Sequence, residues 1–183
     1  MRTPEAPWPV APRPFPDEAF GGWFGRLAGR YRMTVDELAR IAQLRLDLGQ
    51  EYGGWLSAPL PRHDDLLRLC RLCRLQPSTL LALGEATATS SGPKRVDFGY
   101  CHNCLFLNPQ DVTAPYWKAP WLLGQALPCP KHGSYDHVTG ATLARERNLN
   151  KLLKFISRRR SWLERRDSRS IGTGCASTVC GHH

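Results

Sequence analysis

The chain has 183 residues, of which 42% are hydrophobic, and it carries a net charge of +9 with fifteen prolines and seven cysteines. It contains no apolar run of about 18 residues, and its first sixteen residues lack the apolar centre of a secretory signal, so we expect a cytoplasmic protein with no membrane role. An odd number of cysteines in such a chain argues against a disulfide framework and favours metal binding or burial.

The first half of the chain predicts a helical domain behind an extended arm. Residues 1–16 contain six prolines, which is typical of an arm that is ordered only where it lies along another surface. Apolar residues recur at helical spacing within residues 17–85, where Asp17 is expected to cap the first helix and Thr34 and Glu37 to form a capping box for the second. Two short helices joined by a tight turn have helix-turn-helix dimensions.

Two further helices are expected before this domain ends. One begins at His63 and carries Cys70 and Cys73, whose spacing of three inside a leucine-rich helix predicts buried core thiols rather than metal ligands. The next begins at Pro77 and is expected to stop at Gly84. Residues 86–95 have the composition of a linker.

Residues 96–140 lose the helical period and contain two short-spaced pairs of metal ligands. Each pair is separated by two residues, and 24 residues lie between the pairs. This spacing lets two tight turns present four side chains to one tetrahedral Zn²⁺, and four protein ligands leave no position for a catalytic water. We therefore expect a structural zinc ribbon, with two strands formed by the apolar stretch between the pairs and with His102 pointing away. The predicted ligands are Cys101, Cys104, Cys129 and His132.

Residues 141–183 form a predicted basic helix and tail. Residues 143–169 contain ten Lys or Arg against three Asp or Glu, and such a block neutralises phosphates without reading sequence. A solvated basic helix is the alternative. The candidate nucleic-acid contacts are Arg145, Arg147, Lys151, Lys154, Arg158, Arg159, Arg160, Arg165 and Arg166. Whether Cys175, Cys180, His182 and His183 form a second metal site is left open.

Two other surfaces are candidates for binding. Trp8 and Phe15 lie in the proline-rich arm with little local core to join, so we predict that they contact a partner protein. The helix from Thr34 to Leu44 would expose Arg40 and Arg45 in the manner of a DNA-reading helix. For sequence-specific reading we favour the simpler interpretation, a helical bundle with a solvated arginine face.

The chain resembles the TniQ family of transposon proteins, which are related to TnsD. The resemblance rests on "GWFGRLAGRY" in the first helix and on "YCHNCL", "PYWKAPWLL" and "CPKHG" in the zinc region, in that order, and it covers about residues 15–140. Lys118 stands where an arginine is usual, and the second cysteine pair that many members carry after the histidine-glycine is absent. The length is similar to that of the compact members encoded beside CRISPR-guided transposons.

The resemblance implies a mainly α fold with a small β zinc ribbon and a role in choosing the target site of DNA transposition. It implies a non-enzymatic adaptor that links target recognition, by DNA or by an RNA-guided CRISPR effector, to a TnsC-like AAA+ ATPase. No small-molecule substrate is expected, and no catalytic constellation is found in the sequence. The competing hypothesis is a free-standing transcription regulator that binds DNA through the zinc ribbon and the helix-turn-helix unit.

Overall fold

Helices make up most of the described elements, and a two-stranded sheet accompanies them. The computed structural model describes residues 6–48, 54–88, 97–106, 115–122 and 128–172. The helices are α1 (Phe20–Arg30), α2 (Val35–Ile41), α3 (His63–Cys73), α4 (Pro77–Ala88), α5 (His102–Phe106), α6 (Gly140–Arg145) and α7 (Leu149–Gly172). The strands are β1 (Asp97–Tyr100) and β2 (Asp136–Thr139), and short 3-10 turns occupy Trp55–Ser57 and Ala119–Leu122. The mainly α fold with a small β element is thus confirmed.

The two strands lie outside the four predicted metal ligands, not between them. They pair antiparallel, with Phe98 opposite Val138, whereas the described residues 115–122 of the intervening stretch contain the 3-10 turn Ala119–Leu122. The expectation that this apolar stretch forms both strands is therefore wrong for its described part. Trp117 and Leu122 are buried there. The apolar residues that suggested strands therefore belong to the core, although this segment is not a strand.

Three details of the helices also differ from the sequence-based predictions. Asp17 does not cap α1, because the residue at the cap is Ala19, which makes no side-chain hydrogen bond there. Helix α4 continues through Gly84 to Ala88, and a Cβ atom at Gly84 would lie only 2.0 Å from Leu60 Cδ1. The basic segment after residue 140 forms two helices, since residues 146–148 interrupt it. The capping box of α2 is confirmed by both of its hydrogen bonds.

Buried side chains of the helices and of the sheet belong to one hydrophobic cluster. It joins Trp23 of α1, Leu69 of α3, Phe98 of β1 and Leu152 of α7. The proposed boundaries of the helical domain and the zinc module therefore separate chain segments that share a core. The linker residues 89–95 lie outside the described residues. None of the described helices is long and apolar enough to cross a membrane.

The backbone of α1 is in close contact with neighbouring elements at its glycines. A Cβ atom added at Gly21 would lie 2.0 Å from the backbone oxygen of Trp55, and one at Gly25 would lie 2.3 Å from the Trp55 ring. The Trp55 indole also donates to the backbone oxygen of Glu146 at 3.1 Å. Glycine on this face of α1 thus allows one tryptophan to join α1 to the segment between α6 and α7.

Replacing Gly21 by alanine is expected to destabilise the protein by about 1–3 kcal/mol, because overpacking outweighs the better helix propensity of alanine. Gly29→Ala is the matched control on the same helix, since its Cβ would meet only the flexible end of Asn150, at 3.3 Å. Urea unfolding of the zinc-loaded protein measures both changes. A Gly21→Ala variant as stable as the wild type would contradict this packing.

The proline-rich arm lies along α1 and α3. Four hydrogen bonds hold its described part between residues 8 and 13. The bonds are Trp8 N to Leu72 O at 2.8 Å, Tyr31 Oη to Val10 O at 2.7 Å, Trp23 Nε1 to Pro12 O at 2.9 Å and Arg26 Nη2 to Arg13 O at 2.8 Å. The described part of the arm therefore lies against the helical domain of the same chain.

A buried ion pair lies where the arm meets α1. The Arg26 guanidinium donates to both carboxylate oxygens of Glu18, each at 2.7 Å, and Glu18 is fully buried. The Phe15 backbone N–H donates to the same carboxylate at 3.1 Å, and the Phe15 ring lies 4.6 Å from the guanidinium carbon. Burial raises the pKa of the Glu18 carboxyl although Arg26 opposes this effect. Arg26 thus stabilises the ionised form of Glu18 against the effect of burial.

Candidate metal centre and basic surface

The two predicted ligand pairs are presented by two different local structures. Cys101 follows β1 directly and Cys104 lies in α5, whose first turn is closed by the bond from Leu105 N to Cys101 O at 2.9 Å. The second pair lies on a tight turn in which the backbone N–H groups of His132 and Gly133 both donate to Cys129 O, at 3.2 and 2.7 Å. Gly133 has φ +61°, a left-handed conformation that glycine adopts without steric cost.

Four of the six distances between the donor atoms lie close to those expected around one tetrahedral metal ion. All four atoms lie within 4.8 Å of one another. His132 Nδ1 lies 3.5, 3.4 and 3.6 Å from the Sγ atoms of Cys101, Cys104 and Cys129, and the last two sulfurs are 3.6 Å apart. Zinc–ligand bonds of about 2.0–2.3 Å at tetrahedral angles require donor separations of about 3.6–3.8 Å. The group fits a metal ion, and its three sulfurs and one nitrogen suit zinc.

The pKa values of the three thiols are a second reason to expect a cation between them. Burial and hydrogen bonding to Cys129 and Cys101 raise the pKa of Cys104 to about 12. Burial opposes ionisation of Cys101 too, but hydrogen bonds from Ser134 and from the Cys104 backbone bring its pKa below the usual value. The pKa of Cys129 is lowered as well, where backbone hydrogen bonds of Lys131 and His132 outweigh burial. Neighbouring thiolates repel each other, so all three ionise together only around a positive charge.

The Ser134 hydroxyl was not singled out by sequence reasoning. It lies 3.2 Å from Cys101 Sγ, and its backbone oxygen accepts from Cys129 N at 3.1 Å. A hydroxyl two residues after the last ligand was the only sequence signal for it. Ser134 supports the donor group from outside, as hydrogen-bond partners of metal ligands commonly do.

The remaining cysteine and histidine candidates divide into three cases. Cys70 and Cys73 are buried in α3, as predicted, and burial raises the pKa of Cys73 to about 12. The His102 ring lies against Phe106 in a tilted arrangement, with the ring centres 4.6 Å apart. Among the described residues, the candidate metal-binding group consists of Cys101, Cys104, Cys129 and His132 and does not include His102. The proposed second site formed by Cys175, Cys180, His182 and His183 lies outside the described residues.

The candidate phosphate-binding side chains have two different surroundings. Three have acidic partners: Arg147 forms an ion pair with Asp36 of α2, Arg145 with Glu146 at 3.1 Å, and Arg160 with Asp136 of β2 at 3.3 Å. Five others are exposed on α7, namely Lys151, Lys154, Arg158, Arg159 and Arg165. The side chain of Arg166 is not among those described. The nucleic-acid role of this set stays a prediction, and the exposed group is the part available for it.

The start of α2 is covered by the chain's own connection between α6 and α7. Val35 N donates to Arg147 O at 2.9 Å, and Asn148 Nδ2 donates to Met33 O at 2.6 Å. The same Asn148 accepts from Lys151 N at 3.2 Å at the start of α7. A helix-turn-helix protein reads bases with the N-terminal residues of its second helix. In this chain those residues face the connection, which disfavours base reading by α2.

The two arm aromatics contact the chain's own side chains. Trp8 is half-buried, with its ring 5.9 Å from that of Tyr31. Phe15 stacks on Tyr116 with the ring centres 4.3 Å apart and lies against Arg26. Trp8 therefore packs against the hydrophobic core, while Phe15 packs on Tyr116 and Arg26, and sequence reasoning expected neither contact. Only the exposed edges of the two rings are available for the predicted contact with a partner protein, and that contact stays a prediction.

Together the fold and the site define a small, mainly helical protein with a Cys₃His group whose geometry fits a metal ion, beside a two-stranded sheet. A family model described as TniQ matches residues 9–135, more than half of the chain, so the chain belongs to the TniQ family. No curated protein and no solved structure matched it. The resemblance noted from the sequence is confirmed, and family membership associates the chain with DNA transposition, in which DNA and a transposase take part.

Proposed function

We propose that this chain is a non-catalytic adaptor for target-site selection in DNA transposition. It links a target-recognition element, either DNA or an RNA-guided CRISPR effector, to a TnsC-like AAA+ ATPase. The observation that carries the proposal is the TniQ match over residues 9–135. The Cys₃His group supports a structural role for zinc, because four protein ligands complete a tetrahedron and leave no open position for a substrate or a water.

The contacts between the zinc module and the helical domain support an adaptor of fixed geometry. Asp17 accepts from Tyr116 Oη at 2.9 Å and from Lys118 Nζ at 2.5 Å. Ala19 N donates to Trp117 O, and Ala119 N donates to Asp17 O, both at 2.8 Å. Two partners that bind different modules of such a protein are held at a set distance from each other, which is what an adaptor requires.

The proposal is tested by mixing the purified protein with the ATPase encoded beside it, on duplex DNA with ATP. Co-sedimentation of the protein with the ATPase–DNA complex, lost when ATP is omitted, is the expected result. Tight binding of one DNA sequence without the ATPase, and no association with it, would overturn the proposal and favour the transcription regulator.

Replacing Trp8 by alanine tests the partner-contact role of the arm. If the exposed edge of Trp8 is an anchor of the interface, the variant is expected to bind the ATPase about thirtyfold more weakly, which corresponds to about 2 kcal/mol. Leu81→Ala is the control, because Leu81 is a large apolar side chain on α4 that is 48% exposed. Thermal melts of both variants separate weak binding from unfolding. Equal binding by the Trp8 and Leu81 variants would refute an anchor at Trp8.

A further inference from the structure

Helix α7 extends beyond the residues that match the TniQ family. The match ends at residue 135, whereas α7 spans Leu149–Gly172. Its first two turns bury Leu149, Leu152, Leu153 and Ile156 in the common core. None of the described side chains after Ile156 is buried. The second half of α7 therefore adds a surface to this chain beyond the family-matched region.

Four of the lysines and arginines of α7 lie in a row on the side of the helix opposite to its buried side. At about 100° per residue, these four fall within a sector of about 60°, and the centre of that sector lies about 180° from the buried leucines. Trp162, which is 52% exposed, lies beside them. We call this line the α7 stripe; it consists of Lys151, Lys154, Arg158, Trp162 and Arg165. It contains no acidic residue and rises about 21 Å along the helix.

Three cations of the α7 stripe have no acidic partner within the described part of the chain. Lys151 lies near Glu37, whose pKa is lowered first by hydrogen bonds from Thr34 and further by Arg40 and Lys151. By contrast, no ion pair among the described residues involves Lys154, Arg158 or Arg165, unlike Arg147 and its partner Asp36. Exposed cations in a row, without acidic partners, raise the local potential and attract a polyanion.

We propose that the α7 stripe binds the phosphate backbone of duplex DNA without reading its sequence. Its row of point charges suits phosphates along the edge of a groove. Single-stranded nucleic acid is generally held by several aromatic rings on which successive bases stack, and this stripe offers one. An anionic membrane is disfavoured because the apolar side of α7 is already buried in the protein. The inference rests on the proposed role in transposition for the choice of DNA over RNA.

The test measures the affinity of the zinc-loaded protein for a 30-base-pair duplex of arbitrary sequence over a range of salt concentrations, without the ATPase. Arg158→Gln with Arg165→Gln removes two phosphate contacts, and we expect about tenfold weaker binding and a salt slope smaller in magnitude by about 2. Changing the duplex sequence should leave both quantities unaltered.

The charge-matched control is Arg62→Gln with Arg71→Gln, two exposed arginines at α3. It removes the same net charge, so an effect of overall charge alone would weaken binding equally in both variants and overturn the proposal. Tighter binding to single-stranded or duplex RNA than to duplex DNA would also overturn it. Because the ATPase is absent, either failure leaves the adaptor proposal standing. Failure of the ATPase experiment removes only the reason for preferring DNA to RNA, which the comparison with RNA measures directly. Unchanged melting temperatures confirm that the exposed substitutions do not alter folding.

Discussion

Replacing Cys101 by serine is expected to lower zinc affinity more than about a hundredfold and to unfold the module around β1 and β2. Cys101 is 1% exposed, and its sulfur lies 3.5 Å from His132 Nδ1 within the donor group. Structural zinc in small modules contributes about 10–16 kcal/mol of apparent binding free energy, which is available for folding. Losing a direct ligand should cost more than losing a hydrogen-bond partner of a ligand, which typically costs 10–100-fold.

Zinc stoichiometry and competition with a chromophoric chelator measure this effect, and near-ultraviolet circular dichroism reports the packing of Trp117 beside the module. Cys70→Ala is the matched control, because Cys70 is a buried thiol in α3, away from the donor group. It should keep one zinc per chain and lose about 1 kcal/mol of stability. Wild-type zinc affinity in the Cys101→Ser variant would show that these four side chains are not the ligands.

Replacing Arg26 by alanine is expected to cost about 3–5 kcal/mol and to release the arm. The substitution leaves the Glu18 carboxylate buried without its counter-charge, which is the costly way to break such a pair. It also removes the bond to Arg13 O and the contact with the Phe15 ring. Chemical unfolding measures the loss of stability, and faster hydrogen exchange of the Trp8 amide, which donates to Leu72 O in the folded protein, reports release of the arm.

The cost of Arg26→Ala is expected to shrink as the pH falls. Burial holds the pKa of Glu18 in the folded protein above the usual value of 4.5, and loss of Arg26 raises it further. An acid whose pKa is raised on folding contributes stability at low pH that is lost as the pH rises through the folded-state pKa. The variant should therefore be closest to the wild type in mildly acidic buffer, whereas a cost independent of pH would indicate lost packing alone.

Arg45→Ala provides the comparison for this experiment. Arg45 pairs with Asp65 at 3.4 Å, but its side chain is 72% exposed. Solvent screens a pair of this kind, so the expected cost is below about 1 kcal/mol. If both arginine variants lose the same stability, burial of the Glu18–Arg26 pair has no special effect.

An intact arm and an intact metal module both bear on the proposed function. The described part of the arm contacts Leu72 of α3 through Trp8 and Tyr116 of the zinc module through Phe15. A partner that binds the arm would therefore contact a surface to which both modules contribute. Loss of either the metal or the Glu18–Arg26 pair is expected to weaken ATPase binding through this surface.

Local patterns were sufficient to predict the ligand pairs, the capping box and the buried thiols. Each depends on residues close together in the chain: two residues between ligands place both in one tight turn, and Thr34 and Glu37 satisfy one helix terminus. The order of the "YCHNCL", "PYWKAPWLL" and "CPKHG" fragments was also enough to indicate the family that the match later showed. For these features the sequence was decisive because the physics is short-range.

Only the tertiary structure showed which polar and aromatic groups meet across long sequence separations. Asp17 looks like a helix cap in the sequence, but its carboxylate accepts hydrogen bonds from Tyr116 and Lys118, which are about a hundred residues away in the chain. Arg147 belongs to a basic run, but Asp36 neutralises it. Arg158, from the same run, remains exposed on the side of α7 that lies opposite the buried leucines of that helix. Charge composition counts these arginines equally; packing decides which of them is desolvated beside a carboxylate and which faces solvent.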